Sequence, residues 1–228
     1  MVILFNFLMN FAALFFDLLS ARYSEEQWID WVDRLAAEDY VVIDDFIAQD
    51  ELQQLRGFLH ERNEENEFEK AGIGSVFQHT IDKEIRGDFI YWLAKARDTS
   101  IDFAFAYAEE LMGYLNRYCF LSLSDYEFHL AHYPKGTFYQ KHIDQFKGRG
   151  NRIISFVLYL NVGWQPGDGG EIRIFKEDST FDVEPIGARL VLFKSMDVPH
   201  EVLKTNVSRY SLTGWLLNKP SQLGYLLG

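Results

Sequence analysis

The chain has 228 residues and a formal net charge of −12, with 34 Asp and Glu against 22 Lys and Arg. That balance excludes a nucleic-acid partner, because phosphate binding draws its affinity from clustered Lys and Arg, and no such cluster occurs. A hydrophobic fraction of 48% with 20 Phe and 12 Tyr excludes a disordered chain and points to an aromatic-packed core or pocket.

Residues 1–19, MVILFNFLMNFAALFFDLL, are nearly long enough to span a membrane. On a helical wheel, however, Asn6, Asn10 and Asp17 share one narrow sector, which makes a packing helix the expectation, with a membrane-surface anchor or an interface with a second chain as the alternatives. No basic residue precedes the apolar run and no small-residue cleavage site follows it, so neither a secretory signal nor a transmembrane anchor is expected. The segment SEEQWIDWVDRLAAE predicts a helix with Ser24 as N-cap and Gln27 at the capping-box position, its apolar face made by Trp28, Trp31, Val32 and Leu35. YVVIDDF at 40–46 predicts a strand, and ELQQLRGFLHERN a second helix carrying His60 on its surface. The acidic run HERNEENEFEK at 60–70 reads as a solvated helix end. IGSVFQHTI at 73–81 is a strand candidate, with His79 as a loop residue, and IDFAFAYAEELMGYLNRY predicts a third helix. Cys119 ends that helix as a packing residue. As a lone cysteine it offers no internal disulfide, and the expected compartment is cytoplasmic.

After residue 120 the chain changes to short strand-like runs: YEFHLAHY, TFYQKHI, RIISFVLYLN, GGEIRIF, TFDVEP, ARLVLFK, HEVLK and SRYSLTGWLLN. Turn signals YPKG, KGRGN and QPGDGG separate them. Strands that follow one another without helices pair antiparallel, which predicts a mainly β fold with N-terminal helices, its core a sandwich, barrel or jelly roll. No repeat or linker divides the sequence. A single domain over 1–228 is expected, with a mainly helical part at 1–120, a β core at 121–218 and a tail at 219–228.

The triplet HID places His142 and Asp144 on one face of a strand end, since strand side chains alternate with period two. His200, opening HEVLK, is the candidate third ligand. Two histidines and one carboxylate on one side of a metal leave the opposite positions open, which suits non-haem Fe(II). In the strand that follows, Arg209, Ser211, Thr213 and Trp215 share one face. A guanidinium flanked by hydroxyls suits the far carboxylate of a dicarboxylate. His129 and His132 have an odd spacing, so a strand sends them to opposite faces and they do not form a rival metal pair. GDGG at 167–170 reads as a hairpin turn, because no helix follows to present its N-terminus to a phosphate.

The ordered set YP (133–134), HID (142–144), RIISFVLYLN (152–161), GGEIRIF (169–175), PHEV (199–202) and RYSLTGW (209–215) resembles the 2-oxoglutarate and Fe(II)-dependent oxygenases. Within them it is similar to the oxygen-sensing type of prolyl 4-hydroxylase, found as the animal hypoxia-inducible-factor hydroxylases and their bacterial relatives. EIRGDFIYWL at 84–93 resembles the same branch. The resemblance implies a double-stranded β-helix, or jelly roll, with packing helices. It implies Fe(II) held by His142, Asp144 and His200, with 2-oxoglutarate and O2 as cosubstrates and ascorbate as an accessory. Arg209, Thr213 or Ser211, Tyr159 and Tyr133 would hold 2-oxoglutarate. Tyr139 and Trp215 would line the pocket, with Trp215 behind His200 or the open positions, and Arg152 would contact substrate. Arg86, Asp88 and Trp92 would fall in a loop that closes over substrate.

The implied reaction converts 2-oxoglutarate to succinate and CO2 while hydroxylating a prolyl residue of a protein or peptide, with a translation factor as first candidate if the source is bacterial. Two departures, Phe146 in the QFKG turn and Glu171 in GGEIRIF, leave the substrate sequence open. The same chemistry on a free amino acid, another small molecule or a lysyl residue is the alternative, and a non-catalytic jelly-roll sensor is the alternative of another class.

Overall fold

The computed structural model describes residues 22–71, 86–145 and 150–218. The expected N-terminal helix, the strand candidate at 73–81, His79, Phe146 and the tail from 219 lie outside them.

Helix α1, Glu25–Glu38, starts where the sequence puts it. The Ser24 hydroxyl accepts from the Gln27 amide at 3.3 Å and the Ser24 amide donates to the Gln27 side chain at 2.9 Å, closing a capping box. Strand β1 (Tyr40–Ile43) and helix α2 (Gln49–Glu64) follow; Glu51 reaches back to the Ala48 amide at 2.7 Å in place of a capping side chain. Strands β2 (Glu69–Lys70) and β3 (Phe89–Trp92) precede helix α3, Asp102–Cys119. The remaining strands are β4 (Asp125–Tyr133), β5 (Tyr139–His142), β6 (Arg152–Tyr159), β7 (Ile172–Phe175), β8 (Thr180–Val183), β9 (Leu190–Lys194), β10 (His200–Val202) and β11 (Arg209–Leu217).

These strands build two antiparallel sheets, a seven-stranded one ordered β1-β9-β6-β11-β4-β3-β2 and a four-stranded one ordered β5-β10-β7-β8. Together they form a double-stranded β-helix. Alternation divides the large sheet into two faces. Phe128, Leu130, Ile154, Phe156, Leu158, Leu212 and Leu216 point outward and share one core with Trp28, Leu35, Leu55, Phe105 and Leu111 of the helices. Val157, Tyr159, Val191 and Phe193 point inward and pack against Ile172, Ile174 and Val183 of the small sheet. A separate inner cluster of Ala71, Ile90, Ala131, Tyr133 and Val202 closes the other end. The space between those two inner clusters receives the polar residues.

One detail differs from the sequence reading. The FIYW stretch is a strand inside the large sheet, with Trp92 paired to His129 on β4, rather than part of a loop. A continuous run of aromatic and β-branched residues favours a sheet position over a loop. Arg86 lies just outside it, bridged to Tyr139 of β5. Gly214 lies at the centre of β11, where an added Cβ would stand 2.0 Å from the Glu127 carbonyl oxygen. Glycine there lets β4 and β11 approach.

Trp28 carries the helix-to-sheet junction. It is fully buried, meets Trp31, Phe46 and Tyr114 through ring contacts, and donates its indole N–H to Glu110 at 3.1 Å. Trp28→Ala should cost about 3–5 kcal/mol in urea denaturation, as large core truncations do. A loss below about 1 kcal/mol would show that the helices are not part of the same cooperative core.

Candidate active site

His142, at the end of β5, and His200, at the start of β10, are register partners across the small sheet, and their ring centroids are 4.2 Å apart. Each imidazole is oriented by its own backbone. His142 Nδ1 lies 2.8 Å from the Gln140 carbonyl and His200 Nδ1 lies 3.1 Å from the Val198 carbonyl. Nδ1–H donation to those carbonyls leaves both Nε2 lone pairs facing Asp144. The Asp144 carboxylate stands between them, Oδ1 at 3.5 Å from His142 Nε2 and Oδ2 at 3.8 Å from His200 Nε2. Ligand atoms of the three residues fall within 4.8 Å of one another.

The electrostatics match that geometry. Burial raises the Asp144 carboxyl, but the neighbouring His200 and His142 and the Ser155 hydroxyl outweigh it and hold the group well below the usual carboxylate range. Burial lowers the His200 imidazole to about 4, with Asp144 offsetting it only in part, so its lone pair is available at neutral pH. Two imidazoles and one carboxylate with converging ligand atoms are a donor set for a divalent first-row metal, and the residues fit Fe(II).

The neighbouring end of the inner space is cationic. Arg209 is 3% exposed; its Nε donates to the Gly170 carbonyl at 2.8 Å and its Nη1 lies 3.4 Å from Ser211 Oγ. Ser211 and Thr213 are joined hydroxyl to hydroxyl at 2.9 Å. The guanidinium lies 4.8 Å from the ring centre of Tyr133 and 5.0 Å from that of Tyr159. Burial raises both phenols above their ordinary value, which keeps them as O–H donors, and the Tyr159 hydroxyl is buried with no hydrogen-bond partner. Gly170, at φ +79°, is needed because a Cβ there would meet the Arg209 side chain at 2.9 Å. Guanidinium, hydroxyls and an unpaired phenol make a carboxylate-binding pocket.

The remaining expected residues form the wall on the other side. Tyr139 stacks on His142 at 3.7 Å, and Arg86 lies 4.5 Å over the Tyr139 ring while gripping Asp88 at 2.8 and 2.5 Å. Arg152 lies 3.4 Å over the Trp215 ring and pairs with Glu127 at 2.6 Å. Trp92 is the outlier, 47% exposed and touching the wall through His129. His132 behaves as its spacing predicts, on the opposite face, stacked on Tyr210 and bonded to Ser208 at 3.2 Å.

Sequence reasoning missed Ser155, Ser195 and Glu127. Ser155 donates to Asp144 Oδ2 at 2.6 Å and is linked to Ser195 at 2.8 Å. Its signal was available: it is the one serine or threonine in the apolar run of β6. Glu127 alternates onto the same face of β4 as Tyr133.

Comparison with known proteins agrees with this geometry. A profile of the 2OG-Fe(II) oxygenase superfamily matches residues 128–217. A prolyl-4-hydroxylase of known structure from Pseudomonas putida is 38% identical, with a TM-score of 0.77 over 85% of this chain and 100% of that one. Egl nine homolog 1 of Rattus norvegicus is 31% identical over 185 residues, 76% of this chain and 54% of that protein; the chain spans about half the length of the curated relatives it matches. A Trichoplax adhaerens prolyl hydroxylase, solved with a peptide fragment of the hypoxia-inducible factor oxygen degradation domain, shares the fold with a TM-score of 0.76 at 22% identity, over 87% and 96% of the two chains. The chain belongs to the 2OG-Fe(II) oxygenase superfamily. Within it, the Pseudomonas putida and Trichoplax adhaerens relatives are prolyl hydroxylases.

Ser155 supplies a test of how the carboxylate is held. Ser155→Ala removes the hydrogen bond that orients Asp144 and should weaken Fe(II) binding about 10–100-fold, measured anaerobically by equilibrium titration. An unchanged affinity would mean that the strand geometry alone orients Asp144.

Proposed function

We propose that the chain is an Fe(II)- and 2-oxoglutarate-dependent dioxygenase that 4-hydroxylates a prolyl residue of a protein or peptide, with release of succinate and CO2. The observation that carries this reading is the His142–Asp144–His200 cluster sharing one inner space with the Arg209 pocket. The 38% identity to the Pseudomonas putida enzyme over that enzyme's whole chain supports the prolyl substrate. We place it in the cytoplasm, take ascorbate as its accessory reductant, and take a translation factor as the first cellular substrate to try. We read residues 1–228 as one domain with its β core at 121–218, which the shared core of helices and large sheet supports.

Bound Fe(II) would supply the activation of dioxygen that couples 2-oxoglutarate decarboxylation to hydroxylation of a C–H bond. His142, Asp144 and His200 would hold it, the imidazoles fixed beforehand through Nδ1 on the Gln140 and Val198 carbonyls and the carboxylate by the Ser155 hydroxyl. Arg209 binds the far carboxylate of 2-oxoglutarate, and the Tyr159 hydroxyl donates to the same carboxylate, with Thr213 and Ser211 beside it. Tyr133 and Tyr139 wall the space between this carboxylate and the metal. Arg86, locked on Asp88, and Arg152, locked on Glu127, border the substrate's entry and keep their guanidinium planes fixed. Trp215 supplies an apolar surface for the pyrrolidine ring.

Succinate formation that depends on Fe(II), 2-oxoglutarate and a prolyl peptide should disappear in His142→Ala and Asp144→Ala, and mass spectrometry of the peptide should show one added oxygen on proline. Arg209→Met should raise the KM for 2-oxoglutarate by about tenfold to a hundredfold, the loss of one charge-assisted interaction. Full turnover in the ligand variants, or oxygen added elsewhere than proline, would contradict the assignment.

A further inference from the structure

Among the described residues, the buried side-chain atoms without a hydrogen-bond partner are Arg62 Nε, His129 Nδ1, Tyr159 OH and Trp215 Nε1. Arg62 is held by Glu61, Glu65 and Glu67 on the outer surface, and Tyr159 belongs to the cosubstrate pocket. The other two atoms belong to neighbouring rings. His129 and Trp215, 4% and 9% exposed, have ring centroids 5.7 Å apart on the inner face of β4 and β11.

Packing alone does not account for them. A buried acceptor left unpaired carries a standing cost that an apolar side chain of similar size would not. The groups facing His129 are Arg86, Asp88, Arg152 and Asp144, which border the metal cluster and the substrate's entry. Burial first, then Arg86, lowers the imidazole to about 3, so it is neutral and offers one donor and one acceptor. With the proton on Nε2, Nδ1 accepts; the indole of Trp215 only donates. A donor and an acceptor set side by side on an aromatic wall match the N–H and C=O of one residue in an extended chain, which point the same way. Arg152, 3.4 Å over the Trp215 ring, fixes the indole. Trp92 lies edge-on against the imidazole at 4.9 Å and is 47% exposed, so it stands between His129 and solvent.

We propose that His129 and Trp215 form a recognition point for the backbone of one substrate residue beside the target proline, that residue's N–H donating to His129 Nδ1 and its C=O accepting from Trp215 Nε1. The Trp92 indole turns aside to admit it. This rests on the hydroxylase reading above and adds to it that substrate is read through its backbone at this point, independently of the side chain there. His129 is then a residue that touches substrate and selects peptide over a free amino acid.

The test begins with a degenerate pool of peptides, acetyl-XXX-Pro-XXX-amide, incubated with the Fe(II)-loaded enzyme and 2-oxoglutarate; the best hydroxylated sequence is remade with fluorescein. Each flanking amide is replaced in turn by an ester, which removes the N–H and weakens the carbonyl. Affinity is read by fluorescence anisotropy with Mn(II) and N-oxalylglycine, which do not turn over. One ester should weaken wild-type binding about fivefold, and His129→Leu should weaken the all-amide peptide by about the same factor, the worth of one neutral hydrogen bond, while that ester costs it nothing further. If His129→Leu does not melt cooperatively, His129→Met takes its place in the same cycle. No penalty from any ester, or a penalty that survives the substitution, would overturn the proposal. A pool in which no proline gains oxygen while 2-oxoglutarate is still consumed would overturn the hydroxylase reading and this one together. Hydroxylation without the ester coupling would overturn this one alone.

Discussion

Asp144 sets a carboxylate, 9% exposed, between two imidazoles, with the Ser155 hydroxyl at 2.6 Å. Removing an ionised carboxylate from water costs several kcal/mol unless opposite charge stands nearby, and the surrounding imidazoles are more useful as lone-pair donors than as cations. A divalent cation at the point where the three side chains converge resolves that cost. Much of the fold can be understood as what holds those side chains there. The β5–β10 register sets His142 opposite His200, β6 supplies Ser155, and the segment after β9 supplies Ser195. The two sheets must then keep a fixed separation. Inner clusters on either side of the polar space, around Phe193 at one end and Tyr133 at the other, act as the spacers.

β11 links this centre to the helical half of the chain. Its inward residues Arg209, Ser211, Thr213 and Trp215 run along the pocket, while Leu212 and Leu216 are buried among α1, α2 and α3. It is paired on both sides, to β4 and β6, and Gly214 permits the close approach to β4. A substitution that loosens the helix-facing side of β11 therefore displaces the carboxylate pocket even though it touches no ligand. Close-packed interiors transmit such shifts because they do not deform continuously.

The local parts of this arrangement were legible in the sequence. Period two aligned Arg209 with Ser211, Thr213 and Trp215; the HxD spacing brought Asp144 to His142, although β5 ends at His142 and Asp144 lies in the bend beyond it; and the Ser24 capping box marked the first helix. What could not be read was partnership. Alternation says which face a residue takes and not which strand lies beside it, so the Ser155–Ser195 bond, the Glu127–Arg152 pair and the place of FIYW within the large sheet emerge only from tertiary packing. His129 is the instructive case. Its odd spacing from His132 correctly separated the two histidines, but only the assembled β3, β4 and β11 show the imidazole between Trp92 and Trp215.

The most direct test of the account is an anaerobic titration of the purified chain with Fe(II), followed by 2-oxoglutarate. The account predicts one equivalent of tightly bound Fe(II) and, on adding 2-oxoglutarate, a visible metal-to-ligand charge-transfer band, both lost in Asp144→Ala. Failure to bind Fe(II), or equal binding and an equal band in Asp144→Ala, would contradict the claim that this buried carboxylate and its two imidazoles are the metal centre.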